Sequence, residues 1–351
     1  MSLQTFITKH LYKRTIVSLL LYPLSLPYAL IARIRRKQQS NVGWETDIPI
    51  ISVGNIVSGG TGKTPFTIFL AKYLQEQGKK VAVSHRGYKG EFENILTIIS
   101  TRDKILPEAD IAGDEAQLLA NSLVGIPVIA GRNRKNAIRM LLKSFPDLDY
   151  IILDDSFQHF KVKHTLDFVL FKTESSYGNG FVLPAGILRE PLSAISDADC
   201  LVFTGKGDLP KFALSAEKPI IQGNYQIKRF YSMEGDDIEF SELKDNRVAL
   251  LSAIGNPISF ERTIMDAKLS FFKHYVFPDH YAFNKIAEIN NILDDLSIND
   301  IKYVVTTEKD FTKLQNYLEL PLAVTEIAFV PNDSETFSNL ISSTLTNSKH
   351  E

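Results

Sequence analysis

A run of small residues ending in a cation and a hydroxyl, Ser58-Gly59-Gly60-Thr61-Gly62-Lys63-Thr64, is suited to holding a polyphosphate. Gly59, Gly60 and Gly62 lack a Cβ and tolerate positive φ, so successive backbone N–H groups can turn inward on an anion. Lys63 would reach the terminal phosphates, and the Thr64 hydroxyl would ligate magnesium. Further along, Tyr150-Ile-Ile-Leu-Asp154-Asp155 is an apolar run ending in two carboxylates. At the end of a buried strand, such acids hold Mg2+ or its water shell in phosphate-loop enzymes. Packing alone gives little reason for two adjacent acids there.

The elements that would position these residues are legible around them. Residues 50–53 read as an apolar strand, and Phe66, Phe69, Leu70, Tyr73 and Leu74 recur at helical spacing. Pro65 sits in the first turn, where a missing N–H costs nothing. A strand, a Gly-rich turn and a helix make a phosphate-binding loop. The usual G-x-x-x-x-G-K-[ST] pattern would have glycine where this chain has Val57, so an ordinary αL turn ahead of a helix is the competing reading. Strand and helix flanking an intact Gly-Lys-Thr favour the nucleotide site.

Other stretches have both a functional and a bland reading. A strand over 79–84 leads into His85-Arg86-Gly87-Tyr88-Lys89-Gly90, whose basic and aromatic residues could hold phosphate, stack on a base, or face water. Asp114 and Glu115 open a helix predicted over 115–123, where an N-cap and a dipole partner suffice as explanation. A strand at 126–130 precedes a helix at 132–142 carrying Arg132, Arg134, Lys135 and Arg139, which could meet phosphate, headgroups or solvent. For Arg189 and Glu190 the default is a surface ion pair. His280, in Phe277-Pro278-Asp279-His280-Tyr281, would on its own be an ordinary histidine; in a second-domain loop it could be brought in by closure.

Strands at 166–171, 198–204 and 218–222 continue the alternation with helices, which argues for a parallel sheet covered on both faces. Residues 225–230 and 237–240 read as a hairpin or two-stranded linker. A second α/β unit follows, with strands at 248–252 and 303–306 and helices at 259–267 and 286–296. The tail after Pro331 reads as polar and poorly constrained. The expected divisions are 1–40, 41–222, 223–246 and 247–351. The fold class is α/β: a P-loop NTPase-like, doubly wound, mostly parallel sheet, a smaller C-terminal α/β domain and an N-terminal membrane-associating segment.

The chain's 351 residues allow a large core and two domains, and 44% hydrophobic content is normal for a globular protein. A net charge of −2 gives no basic field for nucleic acid. A single cysteine, Cys200, excludes a disulfide framework and a cysteine-rich zinc site.

Residues 15–32 carry no charge and are flanked by Lys9, Lys13 and Arg14 on one side and Arg33, Arg35, Arg36 and Lys37 on the other. As a straight helix they would span about 27 Å, barely a bilayer's hydrocarbon core. Pro23 and Pro27 would break or kink it, and cations at both ends fit a single crossing poorly. No small-residue cleavage site precedes Arg33, which disfavours a signal peptide. A buried helical hairpin is one alternative; an interfacial anchor, broken at the prolines with its cations on anionic headgroups, is preferred.

Taken in order, these segments resemble the tetraacyldisaccharide 4'-kinases, the lipid A 4'-kinases of Gram-negative bacteria. The resemblance is carried by residues 54–65, Arg86-Gly87-Tyr88, Gly113-Asp114-Glu115, Leu153-Asp154-Asp155-Ser156-Phe157-Gln158-His159, Leu188-Arg189-Glu190-Pro191, Ile254-Gly255-Asn256-Pro257, residues 277–281 and Thr307-Glu308-Lys309-Asp310. Val57 is ordinary in that family; Ser156 stands where glycine is commoner. The resemblance implies transfer of the ATP γ-phosphoryl group to the 4'-hydroxyl of a tetraacylated glucosamine disaccharide 1-phosphate. The product would be lipid IVA, made on the cytoplasmic face of the inner membrane. It further implies an acid–base pair of Asp114 and His280. Lys63, Thr64, Asp154, Asp155 and Glu190 would serve phosphate and Mg2+, and Arg189 phosphate. A membrane-associated P-loop ATPase or GTPase switch is the rival. Against it, Ser58 replaces the lysine that dimeric switches carry, and no Asn-Lys-x-Asp motif is present. Oligomeric state is not legible.

Overall fold

The computed structural model describes residues 10–39, 43–87, 95–107 and 112–347. Tyr88 and Lys89 of the expected phosphate or base loop, and Lys9 of the basic flank, lie outside the described residues. In chain order the first elements are helix α1 (Ile16–Gln39), strand β1 (Ile50–Gly54), α2 (Lys63–Glu76), β2 (Val81–His85) and β3 (Thr97–Ser100). They are followed by α3 (Asp114–Ser122), β4 (Val128–Ala130), α4 (Arg134–Ser144), β5 (Tyr150–Asp154), β6 (Leu166–Lys172) and β7 (Cys200–Thr204). Next come α5 (Lys211–Leu214), β8 (Ile220–Tyr231), β9 (Asp237–Ile238), α6 (Phe240–Asp245), β10 (Val248–Ser252), α7 (Pro257–Asp266) and β11 (Lys273–Val276). The chain closes with α8 (Ile286–Ile298), β12 (Tyr303–Thr307), α9 (Glu308–Leu314), β13 (Leu322–Pro331) and α10 (Ser334–Asn347).

Among the described residues one mixed, mostly parallel sheet runs in the order β11-β10-β12-β13-β8-β7-β6-β1-β5-β2-β4-β3, with β9 on β8. Strands β1, β2, β5, β7 and β10 are buried at every residue, as expected when helices cover both faces. The order sets β5 directly beside β1 and β2 beside β5, so Val53 aligns with Asp154 and Ser84 with Leu153. The loop after β1, the acids after β5 and His85 at the end of β2 therefore share one edge. This is the carboxyl-end crevice where parallel sheets bind ligands.

The strands expected at 218–222 and 225–230 are one continuous strand. β8 pairs parallel with β7 through Gly223, then antiparallel with β13 from Gly223 to Tyr231, joining the two parts of the sheet. Gly223 makes the switch possible: a Cβ there would stand 2.4 Å from the Phe329 ring of β13.

Two expectations fail. The N-terminal apolar run is not broken at its prolines; α1 continues through Pro23 and Pro27. The ladder bonds that those residues cannot donate are offset by packing on the 177–188 segment. Ser25 Oγ donates to Val182 O at 2.9 Å and accepts from Ala185 N at 3.1 Å, and Tyr22 lies 4.7 Å from the Phe181 ring. The rest of the helix shows Leu20, Leu24, Leu30 and Ile31 more than half exposed. Nor is the tail after Pro331 unconstrained. In α10, Phe337, Leu340 and Ile341 fall at helical spacing and join the core around α2, with Phe337 4.9 Å from Tyr73 and 5.1 Å from Phe69.

Candidate active site

The glycine-rich loop ends at Gly62, whose φ of +83° caps α2 in the left-handed region and frees the backbone N–H groups of the first turn. Gly59, at φ +104°, and Gly60 each face open space where a side chain would stand. The loop is braced from behind. Buried Asn55 donates to Thr61 Oγ1 at 2.9 Å, Tyr225 Oη donates to Gly62 O at 2.6 Å, and Ser58 N donates to Ile187 O at 2.7 Å. Braces on one face leave the donors of the other to an anion.

Across from the loop, Asp154 is almost wholly buried at the end of β5. Its carboxylate accepts from Thr64 Oγ1 at 3.3 Å and from Thr67 Oγ1 at 3.0 Å. Burial raises its pKa, partly offset by His85. Asp155 has a positive φ of 49°, an uncommon conformation for a residue with a side chain, which turns its carboxylate toward cations. Lys63 Nζ and Arg189 Nη1 lie 3.4 and 3.5 Å from its Oδ1, an atom with no hydrogen-bond donor. Behind both acids is buried Arg134, which donates to Ser84 Oγ and to Asp154 O. Among the described residues it is the member of the basic cluster at 132–139 that is hydrogen-bonded to this edge.

The Asp114–His280 pair forms 166 residues apart in sequence, with His280 Nδ1 3.1 Å from Asp114 Oδ2. Asp114 begins α3, where the helix dipole favours an anion. His280 has φ +63°, and its backbone N–H donates to Ala253 O at 3.1 Å. Because Nδ1 faces a carboxylate and Nε2 faces the Lys309 ammonium at 3.4 Å, the network assigns the proton to Nδ1 and a lone pair to Nε2.

His85, expected in a phosphate or base loop, and Glu115, expected as a helix-dipole partner, join with Lys309 to connect the two groups. His85 Nδ1 accepts from Gly87 N–H, so its Nε2–H points at Glu115 (3.3 Å) and Asp154 (3.8 Å). The other Glu115 oxygen lies 4.0 Å from Lys309 Nζ. The His85 hydrogen bond, with Lys309 and Lys63 nearby, pulls Glu115 down to about 2 against the effect of burial. Lys313, one turn beyond Lys309, lies 2.6 Å from Asp114. The i,i+4 spacing of Lys309 and Lys313 was the available signal; nothing in the sequence named their partners.

Arg189 and Glu190 do not pair with each other. Glu190 is buried; both its oxygens meet Arg36 of α1, and Gln158 Nε2 donates to it at 3.3 Å. Among the described residues no group of three or more metal-ligating side chains occurs. That is compatible with Mg2+, which takes one or two protein ligands and completes its octahedron with phosphate and water. Asp155 Oδ1, aimed at cations and lacking a donor, fits such an ion.

A P-loop on a mostly parallel sheet, facing paired acids and a histidine held by a carboxylate, defines an ATP-binding phosphotransferase. Comparison gives the particular family. Residues 17–346 match the family described as "Tetraacyldisaccharide-1-P 4'-kinase", and the chain belongs to that family. It is 33% identical over 311 residues to a tetraacyldisaccharide 4'-kinase of Pelobacter propionicus, covering 86% of this chain and 84% of that one. It is 32% identical over 308 residues to the enzyme of Francisella tularensis subsp. novicida, covering 87% and 92%. The crystal structure of the "apo" form of LpxK from Aquifex aeolicus in complex with ATP superposes with a TM-score of 0.76 at 27% identity, covering 94% of this chain and all of that one.

Proposed function

We propose that the chain transfers the γ-phosphoryl group of ATP to the 4'-hydroxyl of a tetraacylated glucosamine disaccharide 1-phosphate. The product is lipid IVA, a lipid A precursor, made at the cytoplasmic face of the bacterial inner membrane. One observation carries the reading. The phosphate side of the site (Lys63, Thr64, Asp154, Asp155) and the base side (Asp114, His280) are bridged by a line of polar and ionic contacts through His85, Glu115 and Lys309.

Each part has a chemical task. Ser58, Gly59, Gly60, Thr61 and Gly62 supply backbone donors, and Lys63 neutralises charge that develops on the transferred group. Thr64 and Asp155 would hold Mg2+, with Glu190 a third candidate once released from Arg36; the ion would supply charge neutralisation on the phosphates. Nε2 of His280 takes the proton of the acceptor hydroxyl as its oxygen bonds to γ-phosphorus and the bond to the β-bridging oxygen breaks, releasing ADP. Asp114 holds the imidazole tautomer that makes this possible.

The exposed apolar face of α1, with Arg33 and Lys37 near its end, supports docking at a membrane surface with acylated acceptor within reach; Arg36 is instead held by Glu190 and Asp197. On this reading residues 1–40 engage the membrane, 41–222 hold nucleotide, 223–246 link, and 247–351 deliver the base. Thin-layer analysis after incubation with labelled ATP and disaccharide 1-phosphate tests it. Label in lipid, lost on His280→Ala with ATP binding retained, is expected; release of free phosphate alone would indicate a nucleotide switch and sink the reading.

A further inference from the structure

Lys313 is a nearly buried ammonium, its side chain 11% exposed, and 2.6 Å from Asp114 Oδ2, the oxygen that also receives His280 Nδ1–H. We propose that Lys313 is a positioning residue of the phosphoryl transfer: its charge balances the carboxylates around His280 and keeps Nε2 free to accept the substrate proton. The proposal rests on the reading of His280 as the base.

The local charges explain why balance is needed. From α3, Asp114 lies 3.1 Å from the ring; from the ring's own loop, Asp279 lies 3.9 Å away, and Glu115 stands behind Lys309. Two carboxylates at those distances favour an imidazolium, which has no lone pair with which to take a proton. Two ammonium groups on successive turns of α9 oppose them: Lys309 at 3.4 Å from Nε2 and 3.3 Å from Asp279, and Lys313 on Asp114. The substrate hydroxyl must displace Lys309 to reach Nε2, whereas Lys313 meets Asp114 rather than Nε2. The contribution of Lys313 therefore persists through the reaction. It also joins α9 to α3, so the tautomer of the base is set only when the two parts of the molecule are together.

The test compares wild-type, Lys313→Gln, Lys313→Met and Lys313→Arg enzymes, full length in detergent. The readouts are ATP affinity by calorimetry and kcat/KM against pH with labelled ATP and disaccharide 1-phosphate. K313Q removes the charge and keeps a polar side chain, and K313M removes both. Either uncharged variant is expected to move the acid limb of the profile upward by about one pH unit and so lower kcat at neutral pH about threefold. K313R should restore the wild-type limb, and ATP affinity should stay within about twofold in all three. A merely structural role would lower the whole profile without moving it. Acid limbs of K313Q and K313M that coincide with wild type overturn the proposal; if K313M does not fold, K313Q decides alone. Full activity of His280→Ala would instead overturn the assignment of the base.

Discussion

Arg36 grips Glu190 with two guanidinium nitrogens: Nη2 lies 2.6 Å from Oε2 and Nε 3.3 Å from Oε1. Nη1 reaches Asp197 at 3.0 Å, and the guanidinium plane lies over the rings of Phe157 and Phe160. The last turns of an apolar helix with an open face are thus fastened to the loop that follows the paired aspartates. Because Glu190 is buried, Arg36→Ala would leave its carboxylate without a charge partner, a loss of about 3–5 kcal/mol. Arg36→Lys, without the fork, should recover only part of it. Calorimetric melting of the detergent-solubilised protein checks this: R36A should melt well below wild type with R36K between, and three equal midpoints would refute it.

Removing Phe337 should destabilise the nucleotide-binding helix from behind. Its ring is 1% exposed, 5.1 Å from Phe69 and 4.9 Å from Tyr73, and Tyr73 Oη donates to Ser338 Oγ at 2.8 Å. Phe337→Ala opens a cavity under α2 at a cost of about 3–5 kcal/mol. The urea midpoint should fall while saturating ATP recovers part of the loss, because ligand binds only the folded chain. An unchanged midpoint would mean that α10 contributes nothing to the core.

How far the sequence could lead follows from where each signal is stored. The strand, loop and helix from Ile50 to Glu76 were readable because apolar period, glycines and Gly-Lys-Thr lie within 27 consecutive residues. Asp154 and Asp155 were readable for the same reason. The partners of Glu190 were not: Arg36 stands 154 residues away, and the adjacent Arg189 offered a simpler pairing that the fold does not use. The Asp114–His280 pair came from family resemblance, since its members share no local pattern. α10 was missed because Phe337, Leu340 and Ile341 are a sparse apolar stripe within a polar segment. Proline propensity alone predicts a break in α1, and the packing on Ser25 that offsets it lies more than 150 residues away in sequence.

Glu308, the first residue of α9, makes the junction of the sheet sensitive to pH. Burial, reinforced by the Glu326 carboxylate, pushes Glu308 up to about 7 from the ordinary 4.5. The folded chain holds this proton more tightly than the unfolded chain does. Stability is therefore lost as pH rises from about 4.5 through about 7, by an amount on the order of 3 kcal/mol. Glu308→Gln never ionises and escapes the loss. Its urea midpoint should lie above that of wild type at pH 8 and meet it near pH 4.5. A gap that does not change with pH would remove Glu308 as the cause.

The opposite sign applies at Glu115, where the two sides of the site meet. Its carboxylate is pulled down to about 2 by the His85 hydrogen bond and by the Lys309 and Lys63 charges. A depressed folded value means stabilisation that is complete above the unfolded value near 4.5 and vanishes as pH falls toward 2. Glu115→Gln lacks that contribution. Wild type should exceed E115Q in urea midpoint at pH 6, and the two curves should converge on acidification. Because Glu115 is partly exposed, added salt should narrow the gap at pH 6 as well. Convergence with acid but no response to salt would point to the hydrogen bond from His85 alone. Curves that stay parallel down to pH 2 would show that Glu115 carries no charge-dependent link between His85 and Lys309.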